Sequence, residues 1–264
     1  MSLFITEDQE AELQDLTDRM RDFYRTEQNY SAYQVASHQP ALWSEVIRRA
    51  MESKGETPRA RVLEIGAGRS GFGQWCRTNG GQDIHITSHD INERNREFLL
   101  EHSDEFFTGP AEEIRGQWDC IFHSYVLEHV TRPKAFLISA FNNLKQGGCH
   151  LFQCPRYDAP FYLPPALDHL SKGSKVLAAF SALASSTPFR IVKDPSVFHL
   201  GYYRDRDAIH LVRRRDIEEL HRDHAQVSDF SVITGGWKEW LMMRVITMRM
   251  VIRKIKSETL YSPC

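Results

Sequence analysis

A β-branched, leucine-bearing run from Arg61 to Ile65 passes straight into Gly66-Ala67-Gly68-Arg69-Ser70-Gly71-Phe72-Gly73, after which Gln74 to Thr78 can begin a helix. No other feature constrains the fold as tightly, because a strand that turns on glycines directly into a helix belongs to a sheet whose faces are covered by helices. The next apolar run, Asp83 to Ser88, leads to Asp90, 19 positions beyond Gly71. Glycines let the backbone turn tightly and let a ligand approach its amides, while a carboxylate ending the second strand accepts two hydrogen bonds from a ribose diol. Several adenosine-containing cofactors meet both conditions.

The alternation continues. Asn92 to Glu101 has the pattern of a helix, Asp119 to Ser124 of a strand, Pro133 to Leu144 of a helix closed by Gly147-Gly148, and Cys149 to Cys154 of a strand stopped by Pro155. The expected class is α/β, a Rossmann-like, mostly parallel sheet with helices on both faces. Upstream, Leu13, Leu16, Met20 and Phe23 form one stripe of an amphipathic helix within Glu7 to Thr26, and Leu42, Val46, Ile47 and Ala50 form another within Pro40 to Lys54. These helices define an expected N-terminal helical lid over residues 1–59, with the main domain over 60–264.

Beyond Pro155 the alternation lapses through Pro160, Pro164, Pro165, Pro188 and Pro195, which reads as a cap insertion over residues 156–215 with a helical piece at Lys172 to Leu183. Asp216 to His224 reads as a helix and Phe230 to Thr234 as a strand. Arg244 to Ile255 fits two periods. Ile246, Met248, Met250 and Ile252 alternate with Thr247, Arg249 and Arg253, which favours a final strand. Leu241, Met248, Val251, Ile252 and Ile255 also approximate a basic amphipathic helix making weak peripheral contact with a membrane surface.

Of the 264 residues, 41% are hydrophobic and 26% charged, enough for one large core with additions. Lysine plus arginine number 33 against 35 aspartates and glutamates, so no surplus of positive charge faces a phosphate backbone and no nucleic-acid partner is expected. The five cysteines lack CxxC spacing and fit buried, reduced thiols. No apolar run approaches the ~18 residues of a membrane span, and Met1 to Glu12 carries acids where a signal peptide carries bases, so a cytoplasmic protein is expected.

Glu64 separates the candidate cofactors. Two positions before Gly66, a carboxylate at the strand end repels the pyrophosphate of NAD and attracts a cation such as the α-ammonium of S-adenosylmethionine. The alternative is a strand-end acid paired with Arg61 or another base.

Val62-Leu63-Glu64-Ile65-Gly66-Ala67-Gly68, Asp90, Gly109-Pro110-Ala111-Glu112, Trp118-Asp119-Cys120-Ile121, Leu127-Glu128-His129-Val130 with Pro133, and Leu144-Lys145-Gln146-Gly147-Gly148 follow one another in order. As a set they resemble class I S-adenosylmethionine-dependent methyltransferases, nearest to the Leu-Glu-His-Val group that includes ubiquinone-pathway and sugar- or polyketide-tailoring enzymes. The resemblance covers Arg61 to Pro155 and implies a seven-stranded sheet. It implies that Glu64, Gly66, Ala67 and Gly68 surround the methionine part of the cofactor and that Asp90 takes the ribose with Ile91 beside the adenine. Pro110, Ala111 and Glu112 then flank the adenine ring, and Ser124 and Tyr125 close over the methionine side, with S-adenosylhomocysteine as product. Pro110 stands where such enzymes commonly have Asp, which leaves backbone groups or Glu112 to meet the adenine amino group. Tyr30 and Tyr33 lie where a lid in such enzymes closes on the cofactor, and an aromatic face near a sulfonium is favourable; plain packing is the alternative.

Methyl transfer from a sulfonium asks mainly for alignment and exclusion of water, and a hydroxyl acceptor adds a use for a base. His129, after the fourth strand, is the leading candidate base, with helix capping as its alternative; His169 is the second and His199 the third. Asp168-His169 could mark a metal, but no ligand set at useful spacing accompanies it, so no metal is expected. The reading is therefore a methyltransferase acting on a small-molecule acceptor, at oxygen rather than nitrogen. An NAD-dependent oxidoreductase, from the literal glycine spacing, and a noncatalytic S-adenosylmethionine-binding module stay open.

Overall fold

The computed structural model describes residues 3–27, 33–159, 162–200, 206–230 and 245–255. In chain order the elements are β1 (Phe4–Ile5), α1 (Glu10–Thr26), α2 (Pro40–Ser53), β2 (Ala60–Ile65), α3 (Phe72–Thr78), β3 (Ile84–Asp90), α4 (Arg96–Leu100), β4 (Glu105–Thr108), β5 (Trp118–Ser124), α5 (Pro133–Asn142), β6 (Leu144–Pro155), α6 (Lys172–Ala184), β7 (Ile191–Val192), α7 (Val197–Leu200), α8 (Arg214–His221), β8 (Ala225–Asp229) and β9 (Thr247–Lys254).

Seven strands form one sheet in the order β4-β3-β2-β5-β6-β9-β8. β4, β3, β2, β5 and β6 run parallel, and β9 is antiparallel to both of its neighbours. The chain starts in the middle at β2, steps out through β3 and β4, then returns to build β5 and β6 on the other side. That reversal opens a crevice at the carboxyl ends of β2 and β5, where ligands of open α/β sheets collect.

Alternation along β2 sends successive side chains to opposite faces. Val62 joins Leu42, Trp43, Val46 and Ala50 of α2, Phe72 of α3 and Phe122 on one side. Leu63 and Ile65 join Leu13, Leu16 and Met20 of α1 and Phe136 and Leu137 of α5 on the other. Residues 40–53, expected as part of a lid, thus share one core with the sheet.

Several expectations are corrected. β4 has no counterpart in the sequence reading, because its residues are half-buried or exposed and give little apolar signal. α4 begins at Arg96, not Asn92, since the Asn92 side chain accepts a hydrogen bond from the Arg94 amide at 2.9 Å and forms a turn instead. β8 lies at Ala225–Asp229, ahead of the expected Phe230 to Thr234, of which residues 231–234 fall outside the described residues. The Arg244 to Ile255 segment resolves to β9, paired on both edges, with Met248, Met250 and Ile252 buried. Its apolar side chains face the core and Arg253 pairs with Glu52, so the membrane-surface helix is excluded. No described helix is long and apolar enough to cross a membrane.

β1 pairs antiparallel with β7, which no pattern in the sequence announced. This ribbon ties the N-terminus to the 156–215 segment, and the bridge between Ile191 and His210 extends it.

Candidate functional site

A cavity of about 690 Å³ opens at the crevice between β2 and β5. Its wall brings together Tyr33, Glu64, Gly66, Ala67, Gly68, Asp90, Ile91, Pro110, Ala111, Glu112, Ser124, Tyr125 and His129. Thr17, Met20 and Arg21 of α1, Gln39 and His89 also line it and were not foreseen.

The turn after β2 needs two of its glycines for conformation. Gly66 and Gly68 sit at φ +62° and +56°, in the left-handed region, and a Cβ on Gly66 would lie 2.5 Å from a Val126 methyl. Gly71 differs: a Cβ there would meet the Ser37 carbonyl at 2.8 Å, so this glycine lets the segment before α2 pack onto the turn.

Two carboxyl groups face the cavity. Glu64 is 6% exposed and accepts a hydrogen bond from Ser70 Oγ at 2.6 Å. Burial pushes its carboxyl up to about 8, the Ser70 hydrogen bond opposes this, and the charge of Asp90 adds to it. Asp90 accepts from the Gly68 amide at 2.7 Å, the Asn92 amide at 3.2 Å and the Tyr33 hydroxyl at 3.3 Å. Burial outweighs these bonds and raises its pKa as well. Among the described residues neither acid has an ion-pair partner. Arg61 lies over the Trp118 ring and Arg69 over the Phe98 ring, which removes the proposed Glu64–Arg61 pair. Two buried acids outside any described ion pair suit a positively charged ligand group and oppose a pyrophosphate, although Arg21 and Arg69 also line the cavity.

Tyr33 is thus placed on Asp90, while Tyr30 lies outside the described residues. His89 is held neutral by burial, which brings its pKa down to about 4, and its Nε2 bonds the Gly109 carbonyl at 2.8 Å. It thereby braces the Gly109-Pro110 turn. Ser124 Oγ donates to Gln39 Oε1 at 2.9 Å and accepts from Gln153 Nε2 at 2.8 Å, so α2, β5 and β6 are joined at the cavity floor. Next to Ser124, Tyr125 holds φ +55°, an uncommon conformation for a residue with a side chain and one that collects at functional sites.

A family described as a methyltransferase domain matches residues 35–225. The chain belongs to that family. Among solved structures, the methyltransferase is similar to the CurJ carbon methyltransferase (16% identity, TM-score 0.51, covering 92% of this chain and 59% of that one). It is similar to phosphoethanolamine N-methyltransferase 2 of Haemonchus contortus in complex with S-adenosyl-L-methionine (13%, TM-score 0.53, 90% and 60%). It is also similar to the plantazolicin methyltransferase BpumL with a triazolic desmethylPZN analog and SAH (11%, TM-score 0.54, 95% and 100%). These likenesses show the class I fold, and the chain spans only 59% and 60% of the first two of these proteins. No curated protein matches it. The oxidoreductase reading falls with the family match.

The histidine expectations change in the methyltransferase. His129 lines the cavity, but its Nδ1 lies 3.1 Å from Asp207 Oδ2, which also accepts from the Tyr24 hydroxyl at 3.0 Å. Burial would lower the His129 pKa; the charge of Asp207 and its hydrogen bond overcome this and carry it up to about 10. A ring held in that state already carries the proton that a base would accept, which argues against the general-base expectation. His169 is not brought to the cavity. It bonds the Ala166 carbonyl at 3.2 Å and stacks on His199 at 4.7 Å, beside Leu167 and Lys193 in a separate hollow. His199 pairs with Asp194 at 2.8 Å. No group of three or more potential metal ligands occurs among the described residues.

Proposed function

We propose that this methyltransferase transfers the methyl group of S-adenosylmethionine to an oxygen of a small-molecule acceptor. The observation that carries the reading is the pair of buried acids, Glu64 and Asp90, set around a glycine turn and, among the described residues, outside any ion pair. When bound, the cofactor supplies a methyl on a positively charged sulfur that a nucleophile displaces in line. Glu64 and the Gly66–Gly68 turn would hold its methionine part, Asp90 its ribose, and Ile91 with Pro110, Ala111 and Glu112 its adenine. Tyr33 donates to Asp90 and shields that carboxylate from water.

Ser124 and Tyr125, which line the cavity with Gln39, would close over its methionine side. α1, which lines the cavity through Thr17, Met20, Arg21 and Tyr24, would act as the lid that excludes water from the transfer; no described residue of the 156–215 insertion lines the cavity, and that segment would serve by holding α1 through Asp207 and β7. A volume of about 690 Å³ is in the range of small-molecule sites and supports a small acceptor.

The test is calorimetric titration with S-adenosylhomocysteine and, separately, NADH, repeated for Glu64→Ala and Asp90→Ala. Saturable binding of the first ligand that both substitutions weaken supports the reading and opens a screen of hydroxylated acceptors. Binding of NADH alone overturns it, and binding of neither leaves a noncatalytic fold.

A further inference from the structure

The strongest unassigned feature is a buried polar chain that joins three distant segments at the cavity wall. Tyr24 comes from α1, His129 from the turn after β5, and Asp207 from the insertion. Asp207 is 1% exposed, and a fully buried carboxylate is tolerated only when it is paired and hydrogen-bonded. It has both: the His129 ring at 3.1 Å and the Tyr24 hydroxyl at 3.0 Å. The backbone around it is fixed as well, since the His210 amide donates to the Glu128 carbonyl at 2.8 Å and locks the insertion strand beneath the His129 turn.

We propose that Asp207 is a positioning residue for the methyl transfer: with Tyr24 it fixes His129 as a charged N–H donor in the cavity wall, not as a base. This rests on the methyltransferase reading of the cavity. Nδ1 is buried beside Asp207 Oδ2, and because the His129 ring lines the cavity the proposal assigns Nε2 to the cavity side. The other charged or titratable groups around the ring are Glu128, whose Oε1 lies 3.9 Å from Nε2, and Tyr24; Arg21 of α1 lines the same wall. Both partners shift as a pair should: His129 is held protonated and Asp207, in spite of burial, is held ionised. A fixed donor orients an acceptor through a hydrogen bond; as the O–CH3 bond forms and the S–CH3 bond breaks to leave S-adenosylhomocysteine, the acceptor's own proton passes to bulk water, not to His129.

The experiment is nitrogen-detected NMR of the histidine rings in the full chain, titrated from pH 5 to 10 for the wild type, Asp207→Asn, Asp207→Glu and Tyr24→Phe, with S-adenosylhomocysteine affinity measured on the same samples. The His129 ring is expected to stay protonated through pH 8.5 in the wild type. Its midpoint should fall by two pH units or more in Asp207→Asn and return in Asp207→Glu, a rescue that a packing role would not give. Tyr24→Phe should lower it by less than one unit. A wild-type ring that is neutral at pH 7.5, or an unchanged midpoint in Asp207→Asn, overturns the proposal. If Asp207→Asn does not fold, the wild-type and Asp207→Glu titrations decide. Failure of the wild type to bind S-adenosylhomocysteine would instead sink the functional reading, which the ring titration does not measure.

Discussion

Replacing Glu64 by Gln tests whether the buried acid is built for a cation. The Glu64 carboxyl is pushed up to about 8, so at pH 7 about nine tenths of unliganded molecules carry it protonated. A ligand ammonium beside it favours the carboxylate and returns its pKa to the ordinary range or below. Binding of S-adenosylmethionine at pH 7 should then release about 0.9 proton from Glu64, and the affinity should rise roughly 70-fold between pH 6 and 8.5 on this account. The ligand's own amino group titrates near pH 8 and contributes equally to wild type and Glu64→Gln, so the difference between the two belongs to Glu64. Calorimetry in buffers of unequal ionisation heat counts the protons directly. Equal proton counts in the two proteins, or parallel affinity curves, would refute the argument. The unliganded stability gives the matching sign. The folded-state pKa lies above the unfolded value of 4.5, so the folded protein binds the extra proton and loses stability as pH rises through 8.

Gly66→Ala should destabilise the fold by about 2–4 kcal/mol, combining the left-handed backbone with the 2.5 Å approach to Val126. Denaturant midpoints should show that Val126→Ala in the same chain recovers part of the loss; strict additivity would count against a clash. His123 and His150 are fully buried, and burial lowers the first to about 3 and the second well below its usual value. Below pH 6.5 the unfolded chain takes up protons that these rings resist, so His123 contributes about 2 kcal/mol of acid destabilisation by pH 5 and His150 adds in the same direction. His123→Phe should therefore flatten the fall in urea midpoint between pH 7 and 5. Tyr24→Phe removes a hydrogen bond to a charged acceptor and should cost about 1.5–3 kcal/mol by denaturation at pH 7.

The parts legible in sequence are those set by local pattern. The glycine turn, Asp90 and the strands leading into them are short-range features, because φ above zero and alternating burial write themselves into adjacent residues. The cofactor-side residues expected from the family motifs duly converge on one cavity. What escaped depends on distance along the chain. Asp207 decides the charge of His129 from 78 positions away, and Gln153 reaches Gln39 across 114. β4 escaped for another reason: as the edge strand it pairs with β3 alone and buries too little to carry an apolar code. His89 offered a usable signal, a histidine one residue ahead of the strand-end acid, where side-chain alternation sends it beneath the following turn.

The β1–β7 ribbon changes what kind of object α1 is. Phe4 and Ile5 are stitched to Val192 and Ile191, Lys193 donates to the Leu3 carbonyl at 3.1 Å, and Arg19 reaches Asp194 at 3.3 Å. Near its other end the helix is held by Tyr24 on Asp207. It is a crossbar fastened to the insertion at both ends and to the sheet along its length, where Leu13, Leu16 and Met20 are buried and Glu10 pairs with Arg132 at 2.6 Å. A swing of α1 away from the cavity therefore cannot pivot at its amino end unless the ribbon unzips or the insertion travels with it. Helix and insertion are thereby coupled, and a cut before Glu10 should free the ribbon while Leu13, Leu16 and Met20 keep α1 seated in the core.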